Sequence, residues 1–228
     1  MTSKEFIKKL CDVADNQKTL YVMGCFGAPL NEENAKRYKN AQSYNRTNGR
    51  DKKIDNAVNT DPPTFGFDCV CLIKGILWGF CADKNAVYGG ASYKSNGVDD
   101  IGEETMINLC PNVSTDFSDI VPGEAVWMKG HIGVYIGDGK VVECTPIWKD
   151  GVQYSNLGNL GYKTGNYRIW EKHGKLPYIE YEKTARDYIK LIAEKAKFSS
   201  PEPAIEALMK VQYKYADDMF RKNFEAMK

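Results

Sequence analysis

Apolar positions first recur at helical spacing at Phe6, Leu10, Val13 and Ala14, with Ser3 standing where an N-cap would. An opening amphipathic helix is expected. Residues 31–64 lose this pattern. They are polar, lack β-branched periodicity and close on Asp61-Pro62-Pro63, so they read as a long excursion that can shape a cleft. From residue 67 to 80 the chain turns densely apolar (Cys69, Val70, Leu72, Ile73, Ile76, Leu77, Trp78, Phe80), which predicts a buried helix of about four turns. Gly66 is expected to supply a sharp turn into it. A second polar excursion covers residues 83–118 and holds one short helix near 102–110. Strand-like runs follow at 125–129, 131–136 and 140–144, the last two joined by Gly137-Asp138-Gly139, with a further strand at 167–170. Helix first and antiparallel strands afterwards predict an α+β fold.

The character changes after residue 180. Ala185, Tyr188, Ile189, Ile192, Ala193 and Ala196 share one helical face, and Ile205, Leu208, Gln212, Tyr215 and Met219 recur at nearly heptad spacing beyond the breaker Ser199-Ser200-Pro201-Glu202-Pro203. The expected organisation is a domain of residues 1–180 and a helical hairpin in 181–228 that caps the domain, binds a surface or pairs two copies as a homodimer.

Composition narrows the function classes. With 43% apolar and 27% charged residues the chain can bury a substantial core. A formal charge of +1 with interspersed signs supplies no concentrated basic face, so nucleic acid is not expected as the main partner. No segment has the length and apolarity of a secretory h-region or a membrane span, which predicts synthesis in the cytoplasm without a signal peptide. Seven cysteines, an odd number without framework spacing, read as free thiols in a reducing compartment.

Two residues stand out chemically. Cys69 opens the apolar helix, where unpaired backbone amides and the helix dipole are expected to favour thiolate and lower the pKa. The alternative is a small core cysteine, the assignment given to Cys71, Cys81 and Cys110. His131 begins a strand among small residues and is equally readable as a cleft base or a structural histidine. His173, among charged residues at a turn, is expected to be solvated and is assigned no role. The cysteine and histidine spacings do not form a paired zinc set, so no metal is expected.

Three blocks, in order, carry a resemblance. Phe67-Asp68-Cys69-Val70-Cys71-Leu72 resembles the Asp-Cys-Ser-Gly-Leu motif of the NlpC-type family of papain-like cell-wall peptidases. Val121-Pro122-Gly123-Glu124-Ala125-Val126-Trp127, followed by residues 131–139, resembles its second motif. Tyr21-Val22-Met23-Gly24 is similar to its aromatic-Val-Trp-Gly segment. The resemblance covers roughly residues 5–176 and implies a papain-like fold, N-terminal helices packed on an antiparallel sheet. It also implies a cysteine nucleophile at Cys69, a histidine base at His131 and an orienting group on the next strand, where Glu143 stands. Adjacent antiparallel strands are expected to set His131 and Glu143 side by side.

The family's Ser-Gly after the nucleophile is Val70-Cys71 here, which removes a hydroxyl donor. Asp68 reads either as a group that helps hold a charged stem-peptide group or as a helix N-cap, and Tyr21 either as an oxyanion donor or as a half-buried aromatic. The tail resembles, less specifically, the C-terminal helix pair of some prophage endolysins. The implied activity is a peptidoglycan hydrolase that cuts a stem-peptide amide, the D-glutamyl–diamino acid bond, through a thioester and without a cofactor. The rivals are an N-acetylmuramoyl-L-alanine amidase, a catalytically silent wall-binding protein, and an amidase acting on a cytosolic amide.

Overall fold

The computed structural model describes residues 1–183 and, beyond them, residues 187, 188, 191, 221, 222 and 224–226. The chain divides into two compact units, Met1–Glu180 and Tyr181–Lys228. In the second, the rings of Tyr188 and Phe224 lie 6.1 Å apart. The expected helices at residues 184–198 and 205–219 fall for the most part outside the described residues, as does the pairing of copies through them.

The first unit has α+β architecture. Helix α1 (Ser3–Asn16) buries Phe6, Leu10, Val13 and Ala14, the face its spacing marks. Its N-cap is Thr2 rather than Ser3: Thr2 Oγ1 accepts from Glu5 N–H (3.2 Å) while Glu5 accepts from Thr2 N–H (2.9 Å). This reciprocal box satisfies two helix-end donors and leaves Ser3 buried in the first turn.

Three short strands form a small sheet in the order β1 (Lys18–Tyr21), β3 (Thr64–Phe67), β2 (Phe26–Pro29), with β1 parallel and β2 antiparallel to β3. Sequence periodicity did not reveal this sheet, because four-residue strands are too short to display a period. The segment 31–64, expected to be an irregular excursion, instead contains α2 (Glu32–Ala41) and α3 (Arg50–Asn56). Beside the buried Ala35, Tyr38 and Ile54 its anchors include polar groups: Asn34 donates to the Pro29 and Val87 carbonyls, and Asn45 bonds both the amide and the carbonyl of Met23. These amide groups interrupt the apolar stripe on which a helix prediction relies.

Helix α4 (Cys69–Leu77) follows β3 directly and is buried along all nine residues. An all-round apolar helix has no solvent face, hence its position between sheets rather than on a surface. Lys74, its one charged residue, reaches Asp100 and the Ile101 carbonyl. The helix ends short of the expected residue 80 because Gly79 adopts φ +96°, a left-handed turn that breaks the α register. Gly66 is not the expected entry turn. It lies within β3, where a Cβ would come 2.8 Å from Cys25 Sγ, so its small size permits close packing.

After α5 (Glu103–Asn108) comes the main sheet. It contains β4 (Ala125–Met128), β5 (His131–Gly137), β6 (Lys140–Thr145), β7 (Gly151–Leu157), β8 (Tyr167–Arg168) and β9 (Lys172–Gly174), ordered β8-β7-β6-β5-β4-β9 and antiparallel except for β7–β8. Val126, Tyr135, Val141, Leu157 and Trp170 pack together under it. Two of its strands, β7 and β9, escaped the sequence reading, since buried polar residues (Gln153, Ser155, His173) interrupt their alternation.

Candidate active site

Helix α4, which Cys69 opens, packs against β5, the strand that His131 begins. The approach to α4 is tightly held. Val22 N–H donates to the Phe67 carbonyl at 2.7 Å, and Asp68 N–H donates to the Cys25 carbonyl at 3.1 Å. Asp68 then uses both carboxylate oxygens on backbone, Oδ1 accepting from Cys71 N–H and Oδ2 from Gly24 N–H, each at 2.7 Å. It is 4% exposed. Of its two readings, the geometry gives Asp68 the capping one: it starts the helix and ties it to the 22–25 turn.

Cys69 is the first residue of that helix and is buried. Its thiol does not have the lowered pKa expected from the helix terminus. Burial, and then the neighbouring Asp68 carboxylate, push it up to about 12, although the Ile132 and Val70 amides that hydrogen-bond the sulfur draw it down. Desolvation outweighs the helix end here. The resting group is therefore a neutral thiol that needs a base.

His131 lies one residue before Ile132 and is partly exposed. Its Nε2 bonds Glu143 Oε2 at 2.6 Å. The β5–β6 register (Val134 opposite Val142) continues to place Gly133, not His131, opposite Glu143, so the pair is diagonal across the ladder. Gly133 makes that diagonal passable. A Cβ there would lie 2.8 Å from Val141 Cγ1, 3.2 Å from Trp170 Cη2 and 3.3 Å from Glu143 Cβ. Trp170 stacks on the imidazole at 5.6 Å and 16° between planes. The Asn159 amide group holds the Trp170 backbone through two bonds of 2.7 and 3.0 Å.

Glu143 is fully buried and has three side-chain partners: His131, Ser155 Oγ on β7, and Arg168 Nε on β8 at 2.7 Å. Burial pushes its carboxyl up, but the bond and charge of His131, the charge of Arg168 and the Ser155 bond outweigh it, leaving the pKa below the usual glutamate value. Sequence reasoning singled out Glu143 but missed Ser155, Arg168 and Trp170. Arg168 and Trp170 lay in the strand-like run 167–170, yet no local signal linked them to residue 131.

Tyr21 reaches the site through the parallel β1–β3 register, which sets it beside Phe67. Burial, then the proximity of Cys69 and Asp68, raise its phenol well above the ordinary range, so the O–H stays protonated and can donate. Behind it, Arg50 donates to the Tyr21 carbonyl and pairs with Asp150 at 2.6 and 2.7 Å, and Lys53 adds a second contact to Asp150.

His173, expected to be solvated, is 3% exposed. It bonds Glu124 through Nδ1 and the Asp116 carbonyl through Nε2 (2.9 Å), and so ties β9 to β4 and to the 116–119 turn. The charged neighbours that suggested solvent are not its surroundings. Among the described residues no group of three or more His, Cys, Asp or Glu side chains is arranged to hold a metal, and no helix is long and apolar enough to cross a membrane. Comparison with protein-family models, curated proteins and solved structures finds no significant match to this chain.

Proposed function

We propose that this protein is a papain-like, NlpC-type cysteine peptidase or amidase that cleaves an amide bond in the peptidoglycan stem peptide. The observation that carries the reading is a helix-opening cysteine packed against the strand whose first residue, a histidine, holds a buried carboxylate. Helix α4 packs on β5, the Ile132 amide lies near the Cys69 sulfur, the adjacent His131 begins β5, and Glu143 holds His131 Nε2 at 2.6 Å. With Nε2 engaged, proton exchange with the nucleophile falls to Nδ1. The wall substrate is carried by the resemblance of the three sequence blocks.

The reaction runs as acyl transfer. His131 takes the Cys69 proton as the sulfur attacks the amide carbonyl carbon. The tetrahedral oxyanion is met by backbone amides at the start of α4 and by the Tyr21 O–H, a preorganised donor set. Collapse breaks the C–N bond, and the imidazolium returns its proton to the leaving amine. Water, deprotonated by His131, then opens the thioester and restores the thiol, releasing a carboxylate. A thiol pushed up to about 12 makes this general-base chemistry rather than use of a standing thiolate. Glu143 stabilises the imidazolium and fixes the ring, as an orienting carboxylate does.

Digestion of purified peptidoglycan by wild-type and Cys69→Ala protein tests the reading. New free amino groups on the diamino acid, present only with wild type, identify stem-peptide cleavage, whereas free amino groups on L-alanine, with the lactyl group left on the sugar, move the assignment to the muramoyl-alanine amidase. Absence of any fragment from folded wild-type protein rejects both.

A further inference from the structure

Arg168 enters the site from β8, three strands along the sheet from β5, the one that bears His131. Its Nε donates at 2.7 Å to Glu143 Oε2, the same oxygen that His131 Nε2 contacts at 2.6 Å. Its Nη2 donates to Thr145 Oγ1 at 2.9 Å, and its guanidinium lies 4.8 Å from the Trp148 ring centroid. The Arg168 side chain is 15% exposed and that of Glu143 0%, so this is a largely desolvated charge cluster with two nitrogen partners on one carboxylate oxygen.

The chemistry of that sharing is specific. A buried carboxylate whose only cationic partner is an imidazole favours the protonated ring, because a lone buried anion is costly. A ring that already carries both protons cannot take another from a thiol. A permanent cation on the same oxygen removes that pull and repels a protonated ring. Titratable groups near the Cys69 sulfur include Asp68, Glu103 and Tyr21, with the Cys144 thiol behind, none of them a cationic side chain. Of this set and Arg168, only the guanidinium offsets Glu143.

We propose that Arg168 is a positioning residue that shares Glu143 Oε2 with His131 and neutralises its charge, so that Glu143 orients the ring without acting as its sole counter-ion. This deepens the proposed function and rests on its pairing of Cys69 with His131. Arginine suits the task because it stays charged throughout the working pH range and its planar fork holds Glu143 and Thr145 together.

The test uses the full chain as wild type and as Arg168→Met, Arg168→Gln and Arg168→Lys, with thermal melts to establish folding. The chain has two histidines, so imidazole NMR titrations are read directly, with His131→Ala assigning the resonances. Removing the charge in Met or Gln is expected to raise the pH at which His131 protonates by about one unit, the size of a nearby-charge effect. The acid limb of Cys69 alkylation by iodoacetamide is expected to move with it. Arg168→Lys is expected to recover most of the shift. Should Arg168→Met not fold, Arg168→Gln carries the comparison, since it retains a donor for Glu143.

An unmoved His131 titration across the folded variants, even with lower melting temperatures, overturns the proposal and leaves Arg168 a structural role. The underlying reading fails separately: an alkylation profile in His131→Ala identical to wild type breaks the Cys69–His131 pair, while the NMR titration still reports on Arg168.

Discussion

Replacing Glu143 separates what its shape contributes from what its charge contributes. In Glu143→Ala the Arg168 guanidinium, the His131 ring N–H and the Ser155 hydroxyl lose their shared partner in a site where the carboxylate is 0% exposed. Breaking a buried pair by deleting one member costs about 3–5 kcal/mol. For a domain of this size that lowers the melting temperature by about 10 °C. Glu143→Gln is different. The amide oxygen can stand where Oε2 accepts from His131 and Arg168, and the amide NH2 can donate to Ser155 Oγ, which turns to accept. Every bond is kept and only the charge is lost, so the stability cost is expected to be about 1 kcal/mol. The bond to the imidazolium keeps its cationic donor but loses its anionic acceptor, a difference of about 1–2 kcal/mol, so kcat/KM is expected to fall roughly tenfold. Thermal melts with wall-digestion rates on the same preparations check both. Equal destabilisation by Ala and Gln, or an Ala variant as stable as wild type, would refute the reasoning.

Four further outcomes follow from the same geometry. Gly133→Ala forces a methyl against Val141, Trp170 and Glu143, and is expected to cost about 1–3 kcal/mol and to reduce activity by displacing the His131–Glu143 pair, checked by melts and turnover. Asp150→Ala strands the buried Arg50 behind Tyr21 and is expected to cost about 3 kcal/mol, measured by denaturant titration. The lowered Glu143 pKa contributes stability that is present above the unfolded glutamate value of 4.5 and is lost as pH falls through the lower folded value; acid melts of Glu143→Gln should lack that component. His173 behaves oppositely. Burial lowers its pKa, but the Glu124 bond, the Asp116 carbonyl and the charges of Glu124 and Asp119 raise it overall, so its contribution is complete below 6.5 and disappears as pH rises through the raised value, a loss that His173→Gln should abolish.

The parts of the fold legible in the sequence are those with a sustained period. α1, α4 and the hairpins β4–β5–β6 each repeat apolar positions often enough to reveal type and face. α2 and α3 were missed because Asn34, Asn45 and Arg50 anchor them through polar bonds to backbone and to Asp150, which no hydropathy pattern records. The cap Asn31, followed by the acidic first turn Glu32 and Glu33, was the available signal for α2. Cys69, His131 and Glu143 were singled out because each falls in a local motif, on α4, β5 and β6. Ser155, Arg168 and Trp170 reach the same site across strand pairings and turns, and nothing in their neighbours announces them. The thiol's high pKa was misjudged because the helix terminus is visible in sequence, whereas the depth of burial and the cost of Asp68 beside it appear only in three dimensions.

The central claim is acyl transfer to the Cys69 sulfur, and the most direct measurement is trapping that acyl group. Wild-type protein mixed with soluble muropeptides is quenched in acid within the first turnovers and mapped by peptide mass spectrometry. The account predicts a stem-peptide acyl mass on the peptide bearing Cys69, labile to hydroxylamine as a thioester is, and lost when His131 is replaced by Ala. Fragment release by Cys69→Ala at the wild-type rate, or an acyl mass on another residue, contradicts it.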